Sequence, residues 1–366
     1  MLYVTYTLFI SIPAVLSLAG LMFFAFPASA KKRLNTGSIN LSIKQLILIT
    51  ALAAAGMYFS YDIQRKALFA TDYYVNHKNW DKVLQYAKKH TNSYFTINAA
   101  NQALYHKGEL LQKLFEFPQN INSLMLTMPQ LMHAHWNRFP VFMELGLMNL
   151  AEHELIESIE KFGEKPILLK NMAIVYLVKD DISAARIYLH KLTKTLFDSK
   201  WAKDYLEKIK IDPDLSSDQN IQKLRSLNLS QKDNYPFVEL DREKLLKGLL
   251  NNNSKNKMAF DYLICWYLLS KQIDKIAINY PMFQSMGYSE LPLSCQQALM
   301  IYARKKSSLN VPKDIISPEA EKIFLGINRM LHEYRGDKKR AMFKIATQYG
   351  STFTFYFIYN MSGLGK

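Results

Sequence analysis

Histidines, cysteines and carboxylates are the side chains from which a reaction centre could be built in this 366-residue chain. Of the eight histidines, only His133 and His135 bring two imidazoles together, in His133-Ala134-His135-Trp136. An H-x-H pair ligates metal when a strand or loop points both rings the same way. Two residues apart on a helix the rings diverge by about 200°, and no acid or thiol stands close in sequence. His133 and His135 are therefore the only metal candidates, and no metal is expected of them. His153-Glu154 lacks the second histidine that a zinc-protease helix needs four positions after the first. No G-x-G-x-x-G, P-loop, G-x-S-x-G or paired C-x-x-C occurs, so no catalytic residue and no cofactor is expected. The carboxylate pairs Asp180-Asp181 and Glu152 with Glu154 read as a solvated turn and a solvated helix face. Arg335-Gly336-Asp337 spells an adhesion tripeptide, but it falls in a turn between helices, where coincidence accounts for it.

Cys265 and Cys295 are the only cysteines. In an oxidising compartment they could pair across neighbouring helices, but two buried, unpaired thiols are the expectation, and a disulfide is not.

What must position these residues begins with an apolar N-terminus. Residues 1–30 contain no charged side chain. At about 1.5 Å per residue the run reaches about 45 Å, more than the roughly 30 Å hydrocarbon core. Pro13 would break a water-exposed helix, yet membrane helices tolerate proline. A second apolar run, Gln45 to Tyr61, has Lys44 on one side and Asp62, Arg65 and Lys66 on the other, and Ala53, Ala54, Ala55 and Gly56 offer a close-packing face. Spans at about 2–30 and 45–61, joined by the basic connector 31–44, predict a transmembrane helical hairpin. Ala28-Ser29-Ala30 also fits a signal-peptidase site, but the basic residues follow the apolar run instead of preceding it. The connector carries Lys31, Lys32, Arg33 and Lys44 and no acid. The positive-inside rule puts it in the cytoplasm, and residues 62–366 on the opposite face of the inner membrane.

From Asp62 onward apolar residues recur three and four apart, which predicts an all-α chain. Helix pairs are the recurring unit. Leu169, Met172, Ala173 and Tyr176 line one helix, Lys179-Asp180-Asp181 makes the turn, and Ile182, Ala185 and Leu189 line the next. This order of large, small and aromatic positions matches the tetratricopeptide pattern. Similar units lie around Ala67 to Ala87, Ile97 to Leu114 and Phe260 to Tyr280, and a last one turns at Gly336-Asp337. Ser317-Pro318-Glu319 is a helix start. The expected architecture is a tetratricopeptide-like α-solenoid of degenerate helix pairs in two blocks, 62–210 and 239–366. A polar connector, 211–238, holds at most a short helix near Gln219 to Leu227, and one continuous solenoid with a long loop is the alternative. The aromatic run Thr352 to Tyr359 fits either a sticky edge strand or aromatic platform, or a final segment laid against the last repeat to close the core.

The stretch Asn253 to Ile301, the segment Phe142 to Ala151 and the end Tyr349 to Phe353 resemble a family of uncharacterised bacterial membrane proteins. The family joins N-terminal transmembrane helices to a tetratricopeptide-like domain of unknown function. The resemblance implies the same architecture over most of residues 62–366 and carries no functional residue with it. Family members have more membrane helices than the two found here, which leaves open a shortened relative or a portion of a longer protein.

The chain has a formal charge of +15, and no acid precedes Asp62, so residues 62–366 retain +11 once the four N-terminal cations are set aside. Such a field attracts anions, and a solvated lysine-rich surface accounts for it equally. Without a compact stripe of Arg and Lys interleaved with aromatics, nucleic acid is not an expected partner. The first functional reading is a membrane-anchored scaffold or adaptor holding a protein partner, and not an enzyme. The alternatives are an envelope transport or polysaccharide component facing anionic glycan or lipid, and an enzyme or regulatory subunit whose site is scattered in sequence.

Overall fold

The computed structural model describes residues 47–51, 63–89, 93–126, 135–229, 241–305 and 315–364. The segments expected to span a membrane lie outside these residues, except for 47–51, which are helical. Among the described residues no helix is long and apolar enough to cross a membrane. The chain divides into two compact units, Met1–Phe69 and Ala70–Lys366, and the elements below lie in the second apart from Ile63–Phe69.

Every regular element among the described residues is helical. From Ile63 the first helices are α1 (Ile63–Asn76), α2 (Trp80–Lys89), α3 (Tyr94–His106), α4 (Leu110–Lys113), α5 (His135–Leu145), α6 (Met148–Phe162), α7 (Pro166–Val178), α8 (Ile182–Leu192), α9 (Ser199–Ile211) and α10 (Gln219–Leu227), of which α3 with α4, α5 with α6 and α7 with α8 pack as consecutive pairs. Two short 3-10 turns, Leu114–Glu116 and Ile121–Ser123, follow α4. After them come α11 (Arg242–Asn252), α12 (Lys257–Leu269), α13 (Ile273–Asn279), α14 (Met282–Ser285), α15 (Leu293–Lys305), α16 (Pro318–Glu333), α17 (Lys338–Tyr349) and α18 (Phe353–Tyr359).

Short polar residues start these helices by accepting orphan backbone N–H groups. The side chains of Ser93, Asp181, Asp218, Asp241, Asn256, Ser317, Asp337 and Thr352 do this for α3, α8, α10, α11, α12, α16, α17 and α18. One C-terminal turn recurs six times. The N–H five residues on returns to the carbonyl of Tyr74, Leu104, Phe142, Tyr176, Tyr267 or Phe283, at 2.8 to 3.1 Å. The intervening residue is left-handed in each case: Lys78, Gly108, Gly146, Asp180, Lys271 and Gly287. This is the Schellman closure, which satisfies the last carbonyls and turns the chain back. After the first five of these turns the next helix starts at once, at Trp80, Leu110, Met148, Ile182 and Ile273.

The α6–α7–α8 hairpin is repeated by α11–α12–α13 at an offset of 91 residues, from Pro166 to Lys257. Tyr176 and Tyr267 share that offset, as do the left-handed Asp180 and Lys271 and the helix starts Ile182 and Ile273.

The array closes on itself. The helix α12 packs against α4 and α5 as well as α11, α13 and α15, and α15 packs against α4. Leu215, Ile221 and Leu229 join the same buried cluster as Leu177 and Leu249, so apolar core runs through the polar stretch, and α10 lies on α7 and α5. The aromatic run Thr352 to Tyr359 is a helix, not an edge strand, and α18 packs against α15, α16 and α17. Alternation cannot bury Phe353, Phe355 and Tyr356 while one strand face stays wet, whereas a helix can place all three against neighbours. Phe353 and Tyr356 pack against Phe115 as tilted ring pairs, with centroids 5.4 and 5.0 Å away. Ser362 Oγ donates to the Phe117 carbonyl at 2.9 Å and accepts the Gln119 N–H at 2.8 Å.

Gly146 has φ +91°, and a Cβ there would lie 2.1 Å from the Leu227 carbonyl oxygen. Gly146→Ala should therefore destabilise the protein by at least about 2 kcal/mol in urea unfolding followed by circular dichroism. Lys78→Gly, at an exposed left-handed position, should stay within about 1 kcal/mol of the parent.

Candidate functional site

Residues 258–265 of α12 are buried without interruption, and one of them, Asp261, is ionisable as a carboxylate. Burial on all sides of a helix removes any water-facing stripe for a charge. Asp261 is only 2% exposed, so its charge must be met by protein. Tyr288 Oη donates to its Oδ1 at 2.7 Å, and Lys257 Nζ, one turn earlier on α12, reaches the same oxygen at 3.4 Å. Lys257 Nζ also stands 3.5 Å above the Tyr288 ring, a cation–π arrangement that fixes both partners. Burial outweighs these favourable contacts and pushes the Asp261 carboxyl up to about 6.

Three helix ends meet at this point. Asn256 Nδ2 donates to the Leu145 carbonyl at 2.9 Å, which fixes the start of α12 to the end of α5. Glu144, at that same end, is 3.0 Å from His106 Nε2 at the end of α3. The His106 ring is stacked on Trp80 at 4.2 Å. Burial, Asp261 and Glu144 together raise the Tyr105 hydroxyl. Tyr262 is fully buried, and its Oη finds no hydrogen-bond partner among the described residues. Two carboxylates and three tyrosines thus converge with one lysine and one histidine. Such a group can take up a proton near neutral pH and offer acceptors to a cationic or hydrogen-bond-donating side chain.

Cys265 and Cys295 lie beneath this cluster as free, fully buried thiols. Burial pushes both well up, with Asp261 adding to the effect, so they remain protonated and unreactive.

His133 lies outside the described residues. His135 Nδ1 is 2.6 Å from Glu154 Oε2. Arg138 Nε donates to the same oxygen at 2.9 Å, its Nη1 to the Leu126 carbonyl at 3.3 Å, and its Nη2 stands 2.9 Å from His135 Nδ1. Among the described residues no group of three or more His, Cys, Asp or Glu could hold a metal ion. The solvated reading of Glu152 and Glu154 is corrected here. Glu154 is fully buried, because residue 154 falls on the inner stripe of α6 with Ala151, Leu155 and Ser158. Glu152 is half-buried and accepts Tyr176 Oη at 2.6 Å and Lys179 Nζ at 2.5 Å.

The Glu152 arrangement recurs. Tyr267 Oη donates to Glu243 at 3.1 Å, and Lys275 pairs with the same carboxylate. Tyr205 and Lys208 both reach Asp218 at 3.0 Å. In each, as at Asp261, the lysine also stands over the tyrosine ring. Burial opposes ionisation of Glu243, but hydrogen bonds from Lys247, Lys275 and Tyr267 outweigh it and hold the carboxyl at about 2. Asp261 is the member of this set in which burial wins.

Sequence reading missed Asp261, Lys257, Tyr288, Glu154 and Arg138. A signal existed for Asp261, the lone carboxylate of an otherwise apolar thirteen-residue helix with a lysine four positions before it. Tyr288 and Glu154 gave none, since their partners stand 27 and 19 residues away.

The sequence matches a family of unknown function (DUF6057) over residues 1–360, and the chain belongs to that family. No curated protein and no solved structure matches it.

The Asp261 carboxyl titrates near 6 in the fold and near 3.8 in the unfolded chain, so the folded state binds the extra proton between those values. Stability from this group is present at low pH and is lost as pH rises through about 6. Asp261→Asn should remove on the order of 3 kcal/mol of the decline between pH 4 and pH 7 in urea titrations. Asp72, also raised by burial to about 6, should retain its share. Glu154→Ala should cost about 3–5 kcal/mol by leaving buried Arg138 uncompensated, and adding Arg138→Met should restore much of it.

Proposed function

We propose that this member of the family is a membrane-anchored helical-repeat adaptor that holds a protein partner, and not an enzyme. The observation that carries this reading is the recurrence of one helix-hairpin geometry, with its left-handed closing turn, across the second unit. Stacked helix pairs of the tetratricopeptide kind present extended surfaces between neighbouring helices, and those surfaces suit a peptide or a subunit better than a small substrate. The apolar runs at 2–30 and 45–61 support a transmembrane hairpin, and the basic connector 31–44 supports an extracytoplasmic placement of residues 62–366.

Within that domain the cluster at Asp261 and Glu144 is the anchoring point for the partner. Tyr105, Glu144, Lys257 and Tyr288 are each half-buried, so the cluster is reached from outside while Asp261 forms its floor. On a protein with a surplus of lysine, a half-buried carboxylate among tyrosines, with a second carboxylate buried beneath it, selects a cationic side chain, and surrounding lysines repel basic surfaces that lack the right shape.

A photo-crosslinking amino acid at Tyr105 in the full chain, activated in native membranes, should give one discrete adduct with a protein. Glu144→Lys should abolish that adduct while leaving the helical circular dichroism unchanged. A crosslinker that reacts only with lipid or water at this position, or an adduct indifferent to Glu144→Lys, would sink the adaptor reading of the cluster.

A further inference from the structure

The loop between α8 and α9 presents two large apolar side chains to solvent. Leu196 is 85% exposed and Phe197 is 89% exposed, where an ordinary loop tip of this length would carry polar residues. The loop is held by local bonds and has not failed to collapse for want of structure. Thr195 Oγ1 donates to the Leu192 carbonyl and Ser199 Oγ to the Thr193 carbonyl, each at 2.7 Å. Asp198 is drawn inward to Lys170 at 2.9 Å, and Lys170 stands 4.7 Å over the Trp201 ring. With both flanks tied down, the only direction left for Leu196 and Phe197 is outward.

The surroundings are basic. Residues 186–203 contain five lysines or arginines and one acid, Asp198, which is already engaged. Lys191 pairs with Glu164. Lys194, Lys200 and Lys203 are exposed and form no ion pair among the described residues. On α8 the exposed positions are Ser183, Arg186, Ile187, His190 and Lys191. An apolar tip ringed by free cations is the pattern that enters an interface where acyl chains lie beneath anionic head groups. A protein partner would have to bring its own acidic rim, whereas an anionic bilayer supplies apolar depth and negative charge in the right order.

We propose that the Leu196–Phe197 loop is a membrane-docking tip that inserts into a bilayer surface bearing anionic phospholipid head groups, with Lys194, Lys200 and Lys203 on the phosphates. This inference rests on the reading that the N-terminal segments hold the domain at a membrane, and it adds a second point of attachment that fixes how the domain lies on that surface.

The test uses the full chain with Leu196→Cys labelled by an environment-sensitive nitrobenzoxadiazole dye; Cys265 and Cys295 are fully buried, and the unsubstituted chain serves as the labelling control. The protein is reconstituted into vesicles of phosphatidylcholine alone or of equal parts phosphatidylcholine and phosphatidylglycerol. In the anionic vesicles the dye should shift to the blue and lose most of its quenching by iodide, while a dye at Lys339→Cys should not. The effect should weaken at high salt, because screening shortens the reach of the lysines, and it should vanish in Lys194→Glu/Lys200→Glu/Lys203→Glu. A dye equally open to iodide in both vesicle types overturns the proposal, as does equal protection in detergent solution, which would mean the tip is covered by protein. Alkaline extraction reports the anchor separately. Protein stripped from the vesicles defeats the transmembrane reading whatever the dye shows, and protein retained with a water-exposed dye defeats the docking tip alone.

Discussion

The burial of α12 on every side is the constraint on which the rest of the fold depends. Apart from Lys257 and Trp266, each residue of this helix is buried, including Phe260, Tyr262 and Tyr267. A helix in a simple stack meets only its sequence neighbours and keeps a wet stripe. Neighbours from one part of the chain cannot enclose it, so the chain brings α4 and α5 from one part and α11, α13 and α15 from another. The strip from Leu111 to Gln119 joins the two: Ser294 Oγ donates to the Leu111 carbonyl, Leu293 N to Gln112, and the C-terminal residues close over Phe115 and Phe117. Folding back in this way carries a loop-closure cost that local hairpins avoid, and the apolar area of α12 offsets it.

Enclosing such a helix forces a choice about charge. The recurrent answer is a carboxylate that takes a tyrosine hydroxyl and a lysine together, with the lysine lying over the ring, at Glu152, Asp218 and Glu243. A hydroxyl and an ammonium on one carboxylate stabilise its charge, and the aromatic face steadies the cation without removing it from water. Asp261 uses the same parts in a drier place, and there the balance reverses and the proton stays longer. One local arrangement therefore serves as a clamp between helices where water reaches it and as a titratable group where water does not.

The same arrangement shapes the outer surface. Acids drawn into clamps and ion pairs neutralise their own partners, so the sign of the field outside is set by the surplus of basic residues in residues 62–366. The adaptor reading and the docking tip draw on opposite sides of this division. One uses a half-buried and a buried carboxylate at the meeting of three helix ends, and the other uses lysines that the fold leaves unpaired around an apolar loop.

Periodicity in the sequence was enough to determine the all-helical class and the buried faces of several helices. Leu169, Met172 and Ala173, Ala185 and Leu189, and Ile97, Ala100 and Leu104 are buried as their spacing requires, and Ser317 caps its helix. Helical hairpins are local, and their signals lie within one or two turns of the residues they govern. The short helix at Gln219 to Leu227 was legible for the same reason. Only the tertiary structure decided which polar residues are buried and with whom. Glu154 looked like one more solvated acid until α5 was laid against α6, and Asp261 acquired its character from burial among helices distant in sequence, with Tyr288 reaching it from beyond α14. The aromatic run at Phe353 became a helix because Phe115, far earlier in the chain, supplies the other side of its burial. Sequence spacing fixes which face of an element is apolar, but the partner of a buried charge is set by packing between distant segments, and no local pattern encodes it.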